Sequence, residues 1–196
     1  SVDAESCASD RDAGCCSRAL DIHLTLRGAH QIENAGLACA ALLRWREISD
    51  GAFSAGLTWA HWPARLEPLT RGALSAPIRA MGGEVWVDGG HNAHAGAALA
   101  RALQDMKARR GGTTIAIVGL RARKDASAFV GALRAGADHI IAVPLNAAHA
   151  PLEAISSMQA PTLSAAMQSA AQVPAPRVLI CGSFVLAAEA LAAERA

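Results

Sequence analysis

Four short runs of nearly unbroken apolar residues, each followed by a stretch with helical spacing, leave this chain few folds to adopt. The runs are Val85-Trp86-Val87, Ile115-Ala116-Ile117-Val118, Ile140-Ile141-Ala142-Val143 and Val178-Leu179-Ile180. A strand that is apolar throughout is buried on both faces, as in a parallel sheet covered by helices. The intervening segments carry matching helices: Ala95, Ala98, Leu99, Ala102, Leu103 and Met106 recur at the spacing of one helix face. These patterns predict strands at 84–88, 113–119, 138–143 and 177–181, and helices at 92–108, 125–135, 163–172 and 184–194. Strands alternating with helices of this length imply right-handed crossovers. The expected fold class is therefore α/β, a Rossmann-like, mostly parallel sheet flanked by helices.

The chain ahead of that repeat is patterned differently. Residues 1–19 are small and polar without a period, and predict an irregular leader. Leu20, Ile22, Leu24 and Leu26 alternate as in a strand. After Gly28 a helix is expected, with Ile32, Ala35, Gly36, Cys39, Leu42 and Leu43 on one stripe, then a shorter helix around 48–57. Pro63 and a strand-like 65–69 point to a domain boundary near 58–63, and 70–83, with Gly72, Pro77, Gly82 and Gly83, reads as a loop. The net charge of +1 offers no argument for nucleic acid or an anionic membrane as partner. No apolar run approaches the roughly 20 residues that span a bilayer. The five cysteines include no Cys-x-x-Cys and the seven histidines no His-x-x-x-His. Reduced thiols in a cytoplasmic protein, with no metal site in this chain, are the expectation.

The chemistry concentrates in Asp88-Gly89-Gly90-His91-Asn92, a polar cluster between a predicted strand and a predicted helix. Open α/β sheets place their ligands at such strand ends. Asp88 could accept hydrogen bonds from a ribose, while His91 and the free N–H groups of the helix start suit phosphate. A plain strand-to-helix turn, in which Asp88 or Asn92 only caps the helix, fits the same residues.

Asp-Gly-Gly-His-Asn resembles the Asp-Gly-Ala-His-Asn signature of the folylpolyglutamate synthases and bifunctional dihydrofolate synthases of the Mur ligase superfamily. Three further segments resemble that family in its own order. They are Gly28-Ala29-His30-Gln31-Ile32-Glu33-Asn34-Ala35, Trp62-Pro63-Ala64-Arg65-Leu66-Glu67 and Gly182-Ser183-Phe184-Val185-Leu186. The resemblance implies that 20–60 is the C-terminal remnant of a central ATP-binding domain and 61–196 a Mur-ligase-like C-terminal domain.

The implied activity is an ATP-dependent ligase that activates a folate carboxylate as an acyl phosphate and lets the amino group of glutamate attack. Positioning and neutralising phosphate charge are its main demands. By resemblance, Arg65 reaches the ATP phosphates, where a bidentate and permanently charged guanidinium is suited to the work. Asp88 falls at the ribose, His91 at the phosphates, and His30, Gln31 and Asn34 beside the adenine. Ser183 falls toward the carboxylate of the incoming glutamate, and Lys124 toward substrate. Blander readings stand beside these: an ion pair of Arg65 with Glu67, and helix caps for His30, Asn92, Asp125 and Ser183. No Gly-x-x-x-x-Gly-Lys-(Ser/Thr) occurs here. The phosphate loop and the Mg²⁺ ligands that ATP needs are therefore expected outside this chain, which alone should be inactive, either as a fragment or as a truncated product. Dihydropteroate or tetrahydrofolate and glutamate are the implied small-molecule substrates, and a monomer the implied state. The alternative is a stand-alone Rossmann-like module that binds a nucleotide or a protein without catalysis. A peptidoglycan ligase of the same superfamily is disfavoured by His30-Gln31.

Overall fold

A computed structural model describes residues 23–196, which fall into two compact units: residues 23–25 with 32–61, and residues 26–31 with 62–196. The expected leader, and residues 20–22 of the strand expected at 20–26, lie outside the described residues. Residues 23–26 are not in a strand.

The first unit holds most of α1 (Ala29–Trp45) and all of α2 (Asp50–Thr58). Ser49 caps α2, its hydroxyl accepting the Ala52 N–H at 3.3 Å. Thr58 donates to the His23 carbonyl at 3.1 Å and Thr25 to that of Ala60 at 2.6 Å, which closes the unit's ends on each other. The apolar stripe expected to face a core does not: Ile32 is 55% exposed and Leu43 47%. The described part of this unit is two helices and a short tether, too little surface to bury a 17-residue stripe.

The second unit is the predicted sheet. Its strands are β1 (Glu67–Leu69), β2 (Glu84–Val87), β3 (Thr114–Val118), β4 (His139–Ala142) and β5 (Arg177–Cys181), in the spatial order β1-β2-β5-β3-β4. All neighbours run parallel except β1, which pairs antiparallel with β2. The helices are α3 (Ala76–Ala80), α4 (Ala93–Arg109), α5 (Ala126–Leu133), α6 (Leu163–Ala170) and α7 (Phe184–Arg195). The segment 70–83, expected to be a loop, contains α3. Pro77 sits in its first turn, where the missing N–H had no helical partner to lose.

Each face of the sheet carries its own core. Val85, Val87, Ile115, Ile117, Val178 and Ile180 pack with α3, α6 and α7 through Ile78, Met167 and Leu186. Trp86, Ala116, Val118 and Leu179 pack with α4 and α5 through Leu99, Leu103, Phe129 and Leu133. Each large side chain buried this fully contributes about 1.5–3 kcal/mol. Two neighbouring strands therefore send their following helices to opposite faces: β2 into α4, β5 into α7. Such a switch opens a crevice at the carboxyl ends of the two strands.

At the amino ends of the strands Arg177, the first residue of the central strand β5, is buried at 1% exposure. It donates to Glu84 Oε1 at 2.6 Å and to the carbonyls of Met106 and Arg110, both at 3.1 Å, pinning the end of α4 to β2 and β5. The loop before α3 is tied to α7. Glu194 accepts the N–H groups of Arg71, Gly72 and Ser75 and the Ser75 hydroxyl, at 2.7–3.1 Å.

Candidate active site

Because β1 is antiparallel to β2, with Glu67 opposite Val87, the residues just before β1 arrive at the carboxyl end of β2. That register brings Arg65 beside Asp88, the first residue past β2. Asp88 is 4% exposed, and the two oxygens of its carboxylate are engaged separately. Oδ1 accepts the Gly90 N–H at 2.7 Å and Oδ2 accepts the Leu66 N–H at 2.8 Å. The carboxylate that the resemblance assigns to a ribose thus fastens the approach to β1 onto the loop after β2.

The backbone around Arg65 is strained. Ala64 and Leu66, on either side of it, have φ of 57° and 46° and are buried at 3% and 1%. Side chains with a Cβ adopt this region at a cost of about 1–3 kcal/mol each, and hold it only where surroundings enforce it. Here three hydrogen bonds do so: Ala64 N–H to Glu67 Oε2 at 2.8 Å, Gly89 N–H to the Ala64 carbonyl at 2.9 Å, and the bond from Leu66 to Asp88. Glu67 therefore serves the backbone of the Arg65 turn. Nothing in Ala64-Arg65-Leu66 announces positive φ, since glycine or asparagine would be the usual sign. The only sequence cue was the closing glutamate of the Trp-Pro-x-Arg-x-Glu stretch.

Arg65, half-buried, lies with its guanidinium carbon 5.3 Å from the centre of the Phe184 ring. His91, also half-buried, meets the same ring edge-on, with centroids 6.0 Å apart and planes at 70°. His91 Nδ1 is 2.9 Å from the Gly89 carbonyl. A carbonyl can only accept, so Nδ1 carries the proton and Nε2 is the nitrogen left for a ligand. Gly182, with φ of +105°, turns the chain out of β5, and its N–H donates to the Gly90 carbonyl at 2.9 Å. A Cβ there would sit 2.7 Å from the Gly119 carbonyl oxygen, so the turn requires glycine. Ser183 caps α7 through the Leu186 N–H at 3.1 Å and is 3% exposed. Asn92 and Asp125 cap α4 and α5, each accepting an N–H at 2.9 Å.

Of the remaining candidates, His30 and Gln31 fall in the second unit and Asn34, exposed on α1, in the first. Gln31, 6% exposed, donates through Nε2 to His30 Nε2 at 3.1 Å. Arg27 lies over Trp86, 5.4 Å from the ring centre. Lys124 is exposed in the loop after β3, at the same sheet edge but across β5 from Asp88. Burial pushes the Asp88 carboxyl above its ordinary value, against the N–H groups of Gly90 and Leu66 and the charge of Arg65. Burial, with the nearby charge of Asp88, holds the Cys181 thiol well above its ordinary value, so it is an inert core group. Among the described residues there is no group of three or more His, Cys, Asp or Glu that could hold a metal ion. Among the same residues no helix is long and apolar enough to cross a membrane.

Comparison with known proteins points one way. Residues 77–191, more than half of the chain, match the family described as Mur ligase, glutamate ligase domain. A probable bifunctional folylpolyglutamate synthase/dihydropteroate synthase of Halobacterium salinarum is 33% identical over 110 residues, covering 56% of this chain and 12% of that protein. The bifunctional folylpolyglutamate synthase/dihydrofolate synthase of Yersinia pestis, solved with AMPPNP and a Mn ion, superposes with a TM-score of 0.75 at 24% identity, over 93% of this chain and 43% of that one. This likeness shows the fold. The folylpolyglutamate synthase of Mycobacterium tuberculosis, solved with ADP and AMPPCP, gives a TM-score of 0.66 at 25% identity, over 87% of this chain and 42% of that one. The chain thus spans less than half the length of these relatives.

Proposed function

The chain belongs to the Mur ligase family, as a glutamate ligase domain, and from that premise we propose that it is the C-terminal part of an ATP-dependent folate:glutamate amide ligase, closing on ATP and holding glutamate. One observation carries this reading. Arg65 stands on a doubly strained, triply clamped turn at the carboxyl end of β2, beside His91 and across from the start of α7. Strain of this kind is kept where a side chain must be aimed.

The residues divide the work by their chemistry. ATP supplies the phosphoryl group that activates the folate carboxylate, and Arg65 spreads a fixed positive charge over the oxygens of that group as charge moves. His91, with its proton on Nδ1, leaves Nε2 for a ligand. Neutral, that nitrogen accepts a proton from the attacking amine; protonated, it donates to a phosphate oxygen. Asp88 acts through the backbone it holds, fixing both the Arg65 turn and Gly90. The loop of Gly182 and Ser183, at the N-terminus of a 12-residue helix, favours the glutamate carboxylate. By resemblance of their motifs, Lys124 is assigned to the substrate, and His30, Gln31 and, in the other unit, Asn34 are each assigned to the adenine. Dihydropteroate or tetrahydrofolate as acceptor rests on the four motifs and on the printed names of the relatives.

The test is glutamate-dependent ADP release by the complete ligase carrying this domain, with dihydropteroate or tetrahydrofolate as acceptor. Arg65→Ala should lower kcat at least a hundredfold, the scale of losing one preorganised charge at a transition state, with a melting temperature close to wild type. Residues 1–196 alone should release none. Unchanged kcat in Arg65→Ala would remove the central element of this reading.

A further inference from the structure

The aromatic ring shared by Arg65 and His91 belongs to a residue that neither the motifs nor the family gives a role. Phe184 is the first residue of α7 and stays 45% exposed, while Leu186, Ala187 and Ala190 of the same helix are buried. An exposed phenylalanine at a helix start contributes little to the core. This one is nevertheless in contact with two stretches far apart in sequence, the Arg65 turn and the Gly89–His91 loop. The Arg65 guanidinium carbon is 5.3 Å from its centre. The His91 ring meets it edge-on at 6.0 Å. Gly89 lies so close beneath it that a Cβ there would be 2.3 Å from Phe184 Cε1. A side chain at 89 would displace the Phe184 ring from this position.

We propose that Phe184 is the positioning residue of the site: its ring is the surface on which the Arg65 guanidinium and the His91 imidazole are both laid, so that the two point at one phosphate. The inference rests on the ligase reading above and deepens it. A cation over an aromatic face and an imidazole at the ring edge are each attracted by the ring quadrupole. Both interactions are directional, so the ring limits the rotamers of Arg65, whose side chain is otherwise anchored only at its backbone, and adds to the Nδ1 bond to the Gly89 carbonyl that already orients His91. Arginine has the most to gain from this, because free in a crevice it samples many rotamers and each must be surrendered when phosphate binds. The strained turn aims the Arg65 backbone, and Phe184 aims its charged end. Leucine at 184 would still cover Gly89 and still start the helix, but it has no quadrupole. Tyrosine would keep both the cover and the quadrupole.

Two measurements decide the matter. In residues 1–196, NMR spectra of Phe184→Leu should show the His91 ring protons and the Arg65 Nε–H moved from their wild-type positions, with the melting temperature within about 2 °C of wild type and Phe184→Tyr close to wild type. In the complete ligase, Phe184→Leu should lower kcat about tenfold, the scale of a modest misplacement of reacting groups, with KM for ATP within about twofold, and Phe184→Tyr should restore kcat to within about twofold. Unmoved His91 and Arg65 signals, or wild-type kcat in Phe184→Leu, overturn the proposal. A wild-type ligase without glutamate-dependent ADP release, alongside moved signals, instead overturns the ligase reading and leaves the contact standing.

Discussion

Asp88 is where stability and function are most tightly joined, and removing its carboxylate should be costly in a particular way. Asp88→Ala leaves the Leu66 and Gly90 N–H groups, now bound at 2.8 and 2.7 Å, without acceptors in a site only 4% exposed. A buried donor stripped of its partner costs about 1–3 kcal/mol. Two of them, less the desolvation cost the carboxylate no longer incurs, give a loss of about 2–4 kcal/mol. Asp88→Asn keeps one oxygen but turns an NH₂ toward the other N–H, so the loss should be smaller, about 1–2 kcal/mol. For a unit of this size those losses correspond to about 4 °C in melting temperature per kcal/mol.

The pH dependence separates this account from a simple packing defect. The folded-state pKa of Asp88 is raised above its ordinary value of 3.8, burial being the largest cause. Between the unfolded and the raised folded pKa the native state holds more protons than the unfolded one, so wild-type stability falls as pH rises across that window. Asparagine does not titrate. The advantage of wild type over Asp88→Asn should therefore be largest below 3.8 and shrink as pH rises through the folded pKa. Urea unfolding of both proteins at several pH values from acid to neutral measures it. A gap that widens with pH, or an alanine variant within about 0.5 kcal/mol of wild type, would refute the reasoning.

Further outcomes are expected elsewhere in the fold. Arg177→Ala removes the guanidinium that serves Glu84 and the carbonyls of Met106 and Arg110, and should lose about 2–4 kcal/mol through the cavity and the unmet acceptors; a loss under about 1 kcal/mol in urea unfolding would contradict this. Burial alone would raise the Glu194 carboxyl, but the groups of Gly72, Ser75 and Arg71 together hold it below its ordinary 4.5. Its contribution is present above 4.5 and lost as pH falls through the lowered value, so Glu194→Gln should flatten the acid limb of a melting-temperature profile. Asn92→Ala should cost about 1 kcal/mol of α4 capping without changing ADP release by the complete ligase, and a strong kinetic effect there would make Asn92 a ligand.

The fold was legible because both kinds of element signed themselves. Strands β3 and β5 are buried at every position, and the apolar runs that predict them have no polar residue to set a face. α4 spans Ala93–Arg109 against an expected 92–108, because Asn92 is both the end of the polar cluster and the cap. α3 was missed since five residues flanked by glycines cannot display a helical period. The α1 stripe was legible as a pattern but not as a burial, because periodicity states which side of a helix is apolar and not whether anything covers it. The antiparallel direction of β1 was invisible in three residues, Glu67–Leu69, yet it decides that Arg65 arrives at the Asp88 edge.

The site was legible only in its side chains. Arg65 and Ser183 stand out in sequence by the motifs they share with the family, and Asp88 and His91 also by lying between a strand and a helix; what holds these candidates is mostly backbone, which a sequence encodes weakly. Asp88 looks like a ligand group in sequence and accepts two main-chain N–H groups in the fold. Glu67 looks like an ion-pair partner and accepts a third. Two acids are thus committed to one turn, at a place where a guanidinium stands between two residues of positive φ. That pattern follows from the task proposed for Arg65. A phosphate-binding arginine gains rate only if its charge is in position before the reaction begins, and a short arm on a freely moving loop would lose that position. Strain in Ala64 and Leu66 sets the direction, buried carboxylates keep it, and the Phe184 ring carries the same constraint out to the guanidinium itself.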